Sequence, residues 1–355
     1  MDKLASCNEF ALLTFAGLAE VGLQELAVRK DSAYQVERLP NYDFVRCVLV
    51  PEDISRLPTL RTVEDVFWLI SNPQQVTIKR DLEKLDNLVC SHVLLKGLEL
   101  KNRLFRPKKP KQPTFNCFVK QDYDRPVHRK EIANRVSTAV SATFPKWKNS
   151  DPAAIEIWGF YIDQQLHLGF RLSDNRMRYR AQKPVSRRAA LRPTIAAALI
   201  RTASPHHGER VLDPMCGTGT ILSEGVALNT GATFVGGDSD RQAVKLAKQS
   251  LNRTNISLQQ WDATRLPVDS ATIDCIVCNL PFGQQFSTQK DNQDLYPMLI
   301  DNWMVRLKAK GRMVLLTADS TTLEYLLQKQ NLNWQVAWKV KVLGVWANAY
   351  QIFKN

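Results

Sequence analysis

Short apolar runs alternate with helix-spaced segments over the first 170 residues. FALLTFA (10–16) is a continuous run of strand length, and GLAEVGLQELAVR (17–29) carries Leu18, Val21, Leu26 and Val28 as the apolar positions of a helix. YQVERLP and YDFVRCVLV predict two strands joined by a short turn at Pro40 and Asn41. EDISRLPTL is helical until Pro58 interrupts it, and VEDVFWLI closes the unit as a strand. The order β-α-β-β-α-β is the split ferredoxin-like plan, assigned to residues 1–72. The next hundred residues repeat the rhythm. DLEKLDNLVCSHVLLKGL predicts one helix and TFNCFVKQ a strand, HRKEIANRVSTAVSATF predicts a helix with Ile132, Val136 and Val140 inward, and AAIEIWGFYID and QLHLGFRL form a strand pair.

The pattern changes after residue 190. LRPTIAAALIRTA predicts a helix with Pro193 in its first turn. Then come the strand RVLD, the turn CGTG, the helix TILSEGVAL and the β-branched strand ATFVGGD. QWDATRLP follows a third strand, TIDCIVCN is a buried fourth, and DLYPMLIDNWMVRLKA is helical despite Pro297. GRMVLLTAD is another buried strand, and WQVAWKVKVLG with VWANAYQIF is a terminal hairpin in which Trp334 and Trp338 serve as core or edge residues. Alternation of strand and helix predicts a Rossmann-like α/β domain over 173–355, with a seven-stranded, mostly parallel sheet ending in an antiparallel pair.

Composition adds a direction. The chain has 355 residues, enough for two or three domains, with 44% hydrophobic residues and no run of apolar residues long enough to span a bilayer. MDKLASCNEF has no features of a targeting leader, so the expected location is cytoplasmic. Seven scattered cysteines argue against a disulfide framework. Lys and Arg number 48 against 35 Asp and Glu, a net charge of +13. Residues 1–190 hold 31 basic and 22 acidic side chains, making the N-terminal half the expected polyanion-binding half. Two clusters stand out. Residues 101–130 carry ten basic and two acidic side chains, with Lys108, Lys109 and Lys111 in a Pro-rich stretch. Residues 171–192 carry eight basic and one acidic, with Arg178, Arg180, Arg187 and Arg188 as phosphate-contact candidates.

Chemistry concentrates between residues 209 and 283. Asp213 ends an apolar strand, Gly217 and Gly219 supply a tight turn, and the following helix directs its N-terminus at a polar ligand. Asp238, at the end of the second strand, is suited to accept both hydroxyls of a ribose. Asp262 stands where the third strand ends, within reach of an adenine amino group. At the end of the fourth strand, Asn279-Leu280-Pro281-Phe282 offers acceptors for an amine, whose lone pair is freed by hydrogen bonds to its N–H groups, and an aromatic ring for stacking. Gly283 lets the backbone come close. Cys275 and Cys278 lie within the apolar strand TIDCIVC and are expected as small buried residues. With His207 they echo a zinc deaminase pattern, but the proline before the first cysteine is missing and the strand context is wrong, so no metal is expected.

VLDPMCGTGT, GGDSD, QWDA and NLPF together resemble the class I S-adenosylmethionine-dependent methyltransferases, in the branch whose Asn-Pro-Pro-Phe/Tyr motif methylates amino nitrogens. The resemblance implies that Asp213, Cys216, Gly217 and Gly219 line the methionine side of S-adenosyl-L-methionine. Asp238 would hold the ribose, Asp262 and Ala263 would meet the adenine, and Thr194 in the Arg-Pro-Thr turn would cover the cofactor. Leu280 departs from the commoner proline; it keeps the backbone carbonyl but implies a less rigid loop. TFNCFVKQDYDRPVHRKEIANRVSTAV with AIEIWGFYIDQQLHLGFRLS resembles a THUMP domain, an RNA-binding module, assigned to 73–172. Together the resemblances cover nearly the whole chain and point to the THUMP-containing guanosine N2-methyltransferases of tRNA, with THUMP on the acceptor stem and 3′ end. The implied partner is RNA, tRNA first, acted on by a monomer, with a small activating partner left open and no membrane. Ribosomal RNA guanine, adenine N6, a protein glutamine and a catalytically inactive RNA-binding scaffold remain as alternatives.

Overall fold

The computed structural model describes residues 9–27, 33–107, 113–123, 125–180, 191–251, 255–282, 289–342 and 344–354; of Gln289 and Lys290 it describes the backbone only. Two compact units divide between Arg178 and Tyr179.

In the first unit, strands β1 (Glu9–Phe15), β2 (Tyr34–Arg38), β3 (Tyr42–Val48) and β4 (Asp65–Leu69) alternate with the helices Ala19–Leu26 and Pro51–Arg56. β5 (Gln74–Gln75), β6 (Thr114–Gln121), β7 (Lys148–Asn149), β8 (Ile155–Ile162) and β9 (Gln165–Arg171) follow. All nine belong to one sheet of order β2-β3-β1-β4-β9-β8-β6-β7, with β5 paired to β9. The seam between residues 1–72 and 73–172 is thus a strand pairing, Phe67 to Leu69 of β4 against Gly169 to Arg171 of β9. One face carries the large core of Phe10, Leu12, Trp68, Leu94, Ile132, Val136, Val140 and Phe170. The other carries an aromatic row of Phe44, Phe67, Trp158 and Phe160, with centroids 4.3–6.1 Å apart.

The single helix expected over 81–98 is two elements, a 3₁₀ run Lys79–Asn87 and the α-helix Ser91–Phe105. Cys90 is extended at φ −104°, ψ 164°, so it begins a new helix instead of continuing the old one. The short helix Asn175–Tyr179 was not foreseen.

In the second unit, helix Pro193–Ala203 leads into β10 (Arg210–Asp213), β11 (Thr233–Asp238), β12 (Ile256–Gln260), β13 (Ile273–Asn279), β14 (Leu307–Thr317), β15 (Asn333–Val342) and β16 (Val345–Phe353). The sheet has seven strands in the order β12-β11-β10-β13-β14-β16-β15. Its first five are mutually parallel and β16 and β15 complete it antiparallel, as the alternation predicts. The helix Gln289–Arg306 runs through Pro297. Its Tyr296, Leu299, Ile300 and Trp303 pack with Leu280, Met313, Leu315 and Tyr350 in one core. Trp338 Nε1 donates to Thr202 Oγ1 at 2.7 Å and Trp334 packs at 5.8 Å on Tyr350, so both act as edge residues of the fold. Among the described residues no helix is long and apolar enough to cross a membrane.

Candidate active site

Strand register brings the motif residues to one edge. Asp213 pairs with Gly236, and Leu212 with Ile276, so the parallel strands end together in Asp213, Asp238 and Asn279, with Asp262 two residues past Gln260. In open α/β sheets ligands bind at this carboxyl edge.

Asp213 is 1% exposed. Its Oδ1 accepts from the Met215 amide at 3.3 Å, while Oδ2 is buried with no hydrogen-bond partner. Burial pushes this carboxyl well above its ordinary range, and the charge of Asp238 adds to the rise. The turn that follows is built on left-handed glycines, Gly217 at φ +53° and Gly219 at φ +82°. A Cβ at Gly219 would lie 2.4 Å from Leu251 Cδ1, whose flexible end would have to shift, and the left-handed backbone there strains any other residue. A Cβ at Gly217 would meet no atom within 4 Å; it would project into open space, as expected of a wall that a ligand approaches. Cys216, whose thiol is pushed up by burial, fastens the turn through its backbone: its amide donates to Gly237 O at 2.8 Å and its carbonyl accepts from Gly219 N at 2.8 Å.

Asp238 is half-buried. Its Oδ2 accepts from the Gly217 amide and its Oδ1 from the Asp240 amide, both at 2.9 Å, which links the end of β11 to the glycine turn. Trp261 braces this corner by donating from Nε1 to Pro214 O at 2.9 Å, and Gly237 is obligatory beneath it because a Cβ would lie 2.3 Å from the indole. Asp262 is exposed, and the amide and hydroxyl of Thr264, at 2.9 and 2.8 Å, hold its carboxyl below its usual range. Ala263 is buried, with its carbonyl accepting from Trp303 Nε1 at 2.9 Å. Thr194 is fully buried in the first turn of helix Pro193–Ala203.

Asn279 Oδ1 is the second orphan of this edge, buried without a hydrogen-bond partner. Leu280 is held through both its backbone and its side chain. Its amide donates to Leu316 O at 2.9 Å, a bond that proline cannot make, and its side chain is 1% exposed in the core. Its carbonyl accepts no bond from any described residue. The carbonyl of Pro281 is engaged, receiving Tyr296 Oη at 2.6 Å and Asn292 Nδ2 at 3.3 Å. Phe282 is half-buried, and Gly283 lies outside the described residues. Sequence reasoning missed Asn292, Tyr296, Thr317 and Asp319; the one local signal was a polar Thr-Ala-Asp ending the apolar strand GRMVLLT.

Cys275 and Cys278 are wholly buried and, three residues apart on a strand, face opposite sides of the sheet. Of the basic candidates, Lys108, Lys109, Lys111, Arg187 and Arg188 lie outside the described residues. Arg178 is joined by two hydrogen bonds to buried Asp65 and lies over the Trp158 ring, 5.6 Å from its centroid. Arg180 is paired with Glu224, which is 1% exposed, at 2.8 and 3.2 Å. Both guanidiniums neutralise buried carboxylates of their own unit.

The parallel sheet with its antiparallel close, the glycine turn below an orphaned carboxylate and the amide-bearing fourth strand end define a class I methyltransferase domain. Residues 180–348 match the family model described as UPF0020, RMKL-like, methyltransferase domain. The chain is 30% identical over 174 residues to bovine (Bos taurus) tRNA (guanine(6)-N(2))-methyltransferase THUMP3, covering 44% of this chain and 33% of that one. It is 26% identical over 218 residues to a tRNA (guanine(6)-N2)-methyltransferase of Thermus thermophilus, covering 60% and 65%. This chain therefore covers about a third of the length of its mammalian relative. The crystal structure of TrmN from Thermus thermophilus shares the fold over 98% of this chain and 99% of that one, with a TM-score of 0.77 at 22% identity.

Proposed function

We propose that the chain transfers methyl from S-adenosyl-L-methionine to the exocyclic N2 amine of a guanosine in RNA, with tRNA as the substrate. The observation that carries this reading is the pair of vacant acceptors at the end of β13. Asn279 Oδ1 is buried and unpartnered, and the adjacent Leu280 carbonyl accepts nothing from the described residues. A buried amide oxygen without a partner is costly, about 1–3 kcal/mol, unless a substrate completes it. An exocyclic amine supplies two N–H donors. Accepted by Asn279 and Leu280, they hold the amine with its lone pair toward the cofactor edge and stabilise positive charge developing on nitrogen. No strong base is required. Phe282 stacks on the extruded base; stacking of about 1–3 kcal/mol helps offset unstacking.

The cofactor edge fits the same reading. The orphaned Asp213 Oδ2 and the open space over Gly217 suit the methionine part, Asp238 the ribose, and Asp262 with Ala263 the adenine. Cys216 and Gly219 fix the turn, and Thr194 supports the covering segment. Bound there, S-adenosyl-L-methionine supplies an electrophilic methyl group on a sulfonium. Residues 73–172 act as the THUMP module that grips the tRNA end, and the enzyme works in the cytoplasm. The names of the guanine-N2 relatives support the choice of guanosine in tRNA.

Calorimetry with S-adenosyl-L-methionine, followed by counting of label transferred to unmodified tRNA and to ribosomal RNA, tests the proposal. Binding with transfer to tRNA is expected. Transfer to ribosomal RNA alone would overturn the substrate, and absence of binding would overturn the enzyme.

A further inference from the structure

The bond from Tyr296 to Pro281 belongs to a closed ring. Tyr296 Oη donates its hydrogen to Pro281 O at 2.6 Å, so its 2.8 Å contact with Thr317 Oγ1 has the threonine hydroxyl as donor. Thr317 Oγ1 in turn accepts the Asp319 amide at 2.9 Å. Asp319 Oδ2 accepts Asn292 Nδ2 at 3.0 Å, and the same amide nitrogen returns to Pro281 O at 3.3 Å. Asn292 and Tyr296 stand four apart, on one face of helix Gln289–Arg306. Thr317 and Asp319 stand at the end of β14, whose Leu316 pairs with Asn279. Asn292, Tyr296 and Thr317 are 0% exposed and Asp319 is 7% exposed. Burial raises the Tyr296 phenol, which keeps it a donor. The single hydrogens of the two hydroxyls fix the direction of each bond, and two arms that start from the Asn292 amide converge on a carbonyl of the proposed catalytic loop.

We propose that Asn292, Tyr296, Thr317 and Asp319 are positioning residues for methyl transfer. They turn the Pro281 carbonyl into the protein, so that the neighbouring Leu280 carbonyl, with Asn279 Oδ1, is presented to the target amine. This deepens the amino-methyltransferase reading and rests on it. All four act through another group: their effect passes through the two peptide planes between Leu280 and Phe282. Displacements of about 1 Å far from the chemistry cost up to about 100-fold in rate, and the ring holds the Pro281 carbonyl while the Leu280 amide is held by Leu316 O, so the Leu280 carbonyl between them is braced on both sides.

Tyr296→Phe removes one hydroxyl and keeps the ring volume. The expected result is a fall in kcat of about 10- to 100-fold, with KM for RNA and calorimetric affinity for S-adenosyl-L-methionine unchanged. Asn292→Ala removes the 3.3 Å bond to Pro281 O and the 3.0 Å bond to Asp319 Oδ2 but leaves the shorter bond from Tyr296 to Pro281, and a smaller fall of about 3- to 10-fold is expected. Thr317→Val leaves Tyr296 able to donate, so adding it to Tyr296→Phe should lower kcat little further. A merely structural role would lower stability while leaving kcat per cofactor-binding site untouched. If Tyr296→Phe does not fold, Asn292→Ala carries the test alone. Turnover at the rate of the unaltered chain in a folded variant overturns the inference and leaves the parent reading standing. Failure of the unaltered chain to methylate RNA overturns both.

Discussion

Replacing Asp213 with asparagine should stabilise the ligand-free protein and weaken cofactor binding together. In the native state this carboxylate is 1% exposed, has one backbone hydrogen bond of 3.3 Å and leaves Oδ2 unpartnered. Isolated buried charges cost several kcal/mol, and a carboxyl limits that cost by holding its proton. The raised native pKa records this compromise. Because the native state binds the proton more tightly than the unfolded chain, stability is fully present below the unfolded pKa of about 3.9 and falls as pH rises through the native value. Asparagine does not titrate. It keeps an oxygen for the Met215 amide and removes the charge, at the expense of one orphaned amide donor. The net gain at pH 7 should be about 2 kcal/mol, which for a domain of this size is about 4–8 °C in Tm. The gain should shrink to nothing as pH falls toward about 4. Hydrogen bonds to a charged group contribute about 1.5–3 kcal/mol, so affinity for S-adenosyl-L-methionine should fall at least about 10-fold, and saturating ligand should narrow the Tm gap. Thermal unfolding at several pH values, with and without ligand, reads all of this. A variant no more stable than the unaltered chain at pH 7 without ligand would refute the reasoning, as would undiminished affinity.

Asn279→Ala should lower turnover about 100-fold or more with cofactor affinity nearly intact, checked by steady-state kinetics beside calorimetry. Asp238→Ala should weaken cofactor binding and also loosen the glycine turn, since the Gly217 amide loses its acceptor; unchanged affinity would remove Asp238 from the site. Arg180→Ala should destabilise the second unit by about 3 kcal/mol, because it takes a guanidinium from buried Glu224. The salt dependence of RNA binding should stay as it was, and a slope flattened by about one unit would return Arg180 to the phosphate.

The strand ends were legible because each is a local event. An apolar run stopping at Asp213, Asp238 or Asn279 needs no tertiary knowledge, and parallel pairing then delivers these ends to one edge. Leu280 was half legible. Its carbonyl follows from the motif, but its pinning depends on the Leu316 carbonyl arriving opposite it, a matter of register between β13 and β14. The ring around Pro281 was hidden for the same reason, since it joins a helix face to two strand ends across 11 to 27 residues. The pairing of Arg178 was hidden because a basic run looks alike whether solvated or paired, and its partner Asp65 lies 113 residues away. The pairing of β4 with β9 merges two segments that read as separate units into one sheet; rhythm along the chain is silent on which edges meet.

The central claim is the atom that receives the methyl group. Unmodified tRNA should be incubated with the chain and labelled S-adenosyl-L-methionine, digested to nucleosides and analysed by mass. The account predicts label in N2-methylguanosine, lost in Asn279→Ala. Label in N6-methyladenosine or in a ring-carbon product would contradict it, because the paired acceptors of Asn279 and Leu280 would then be serving another base or another chemistry.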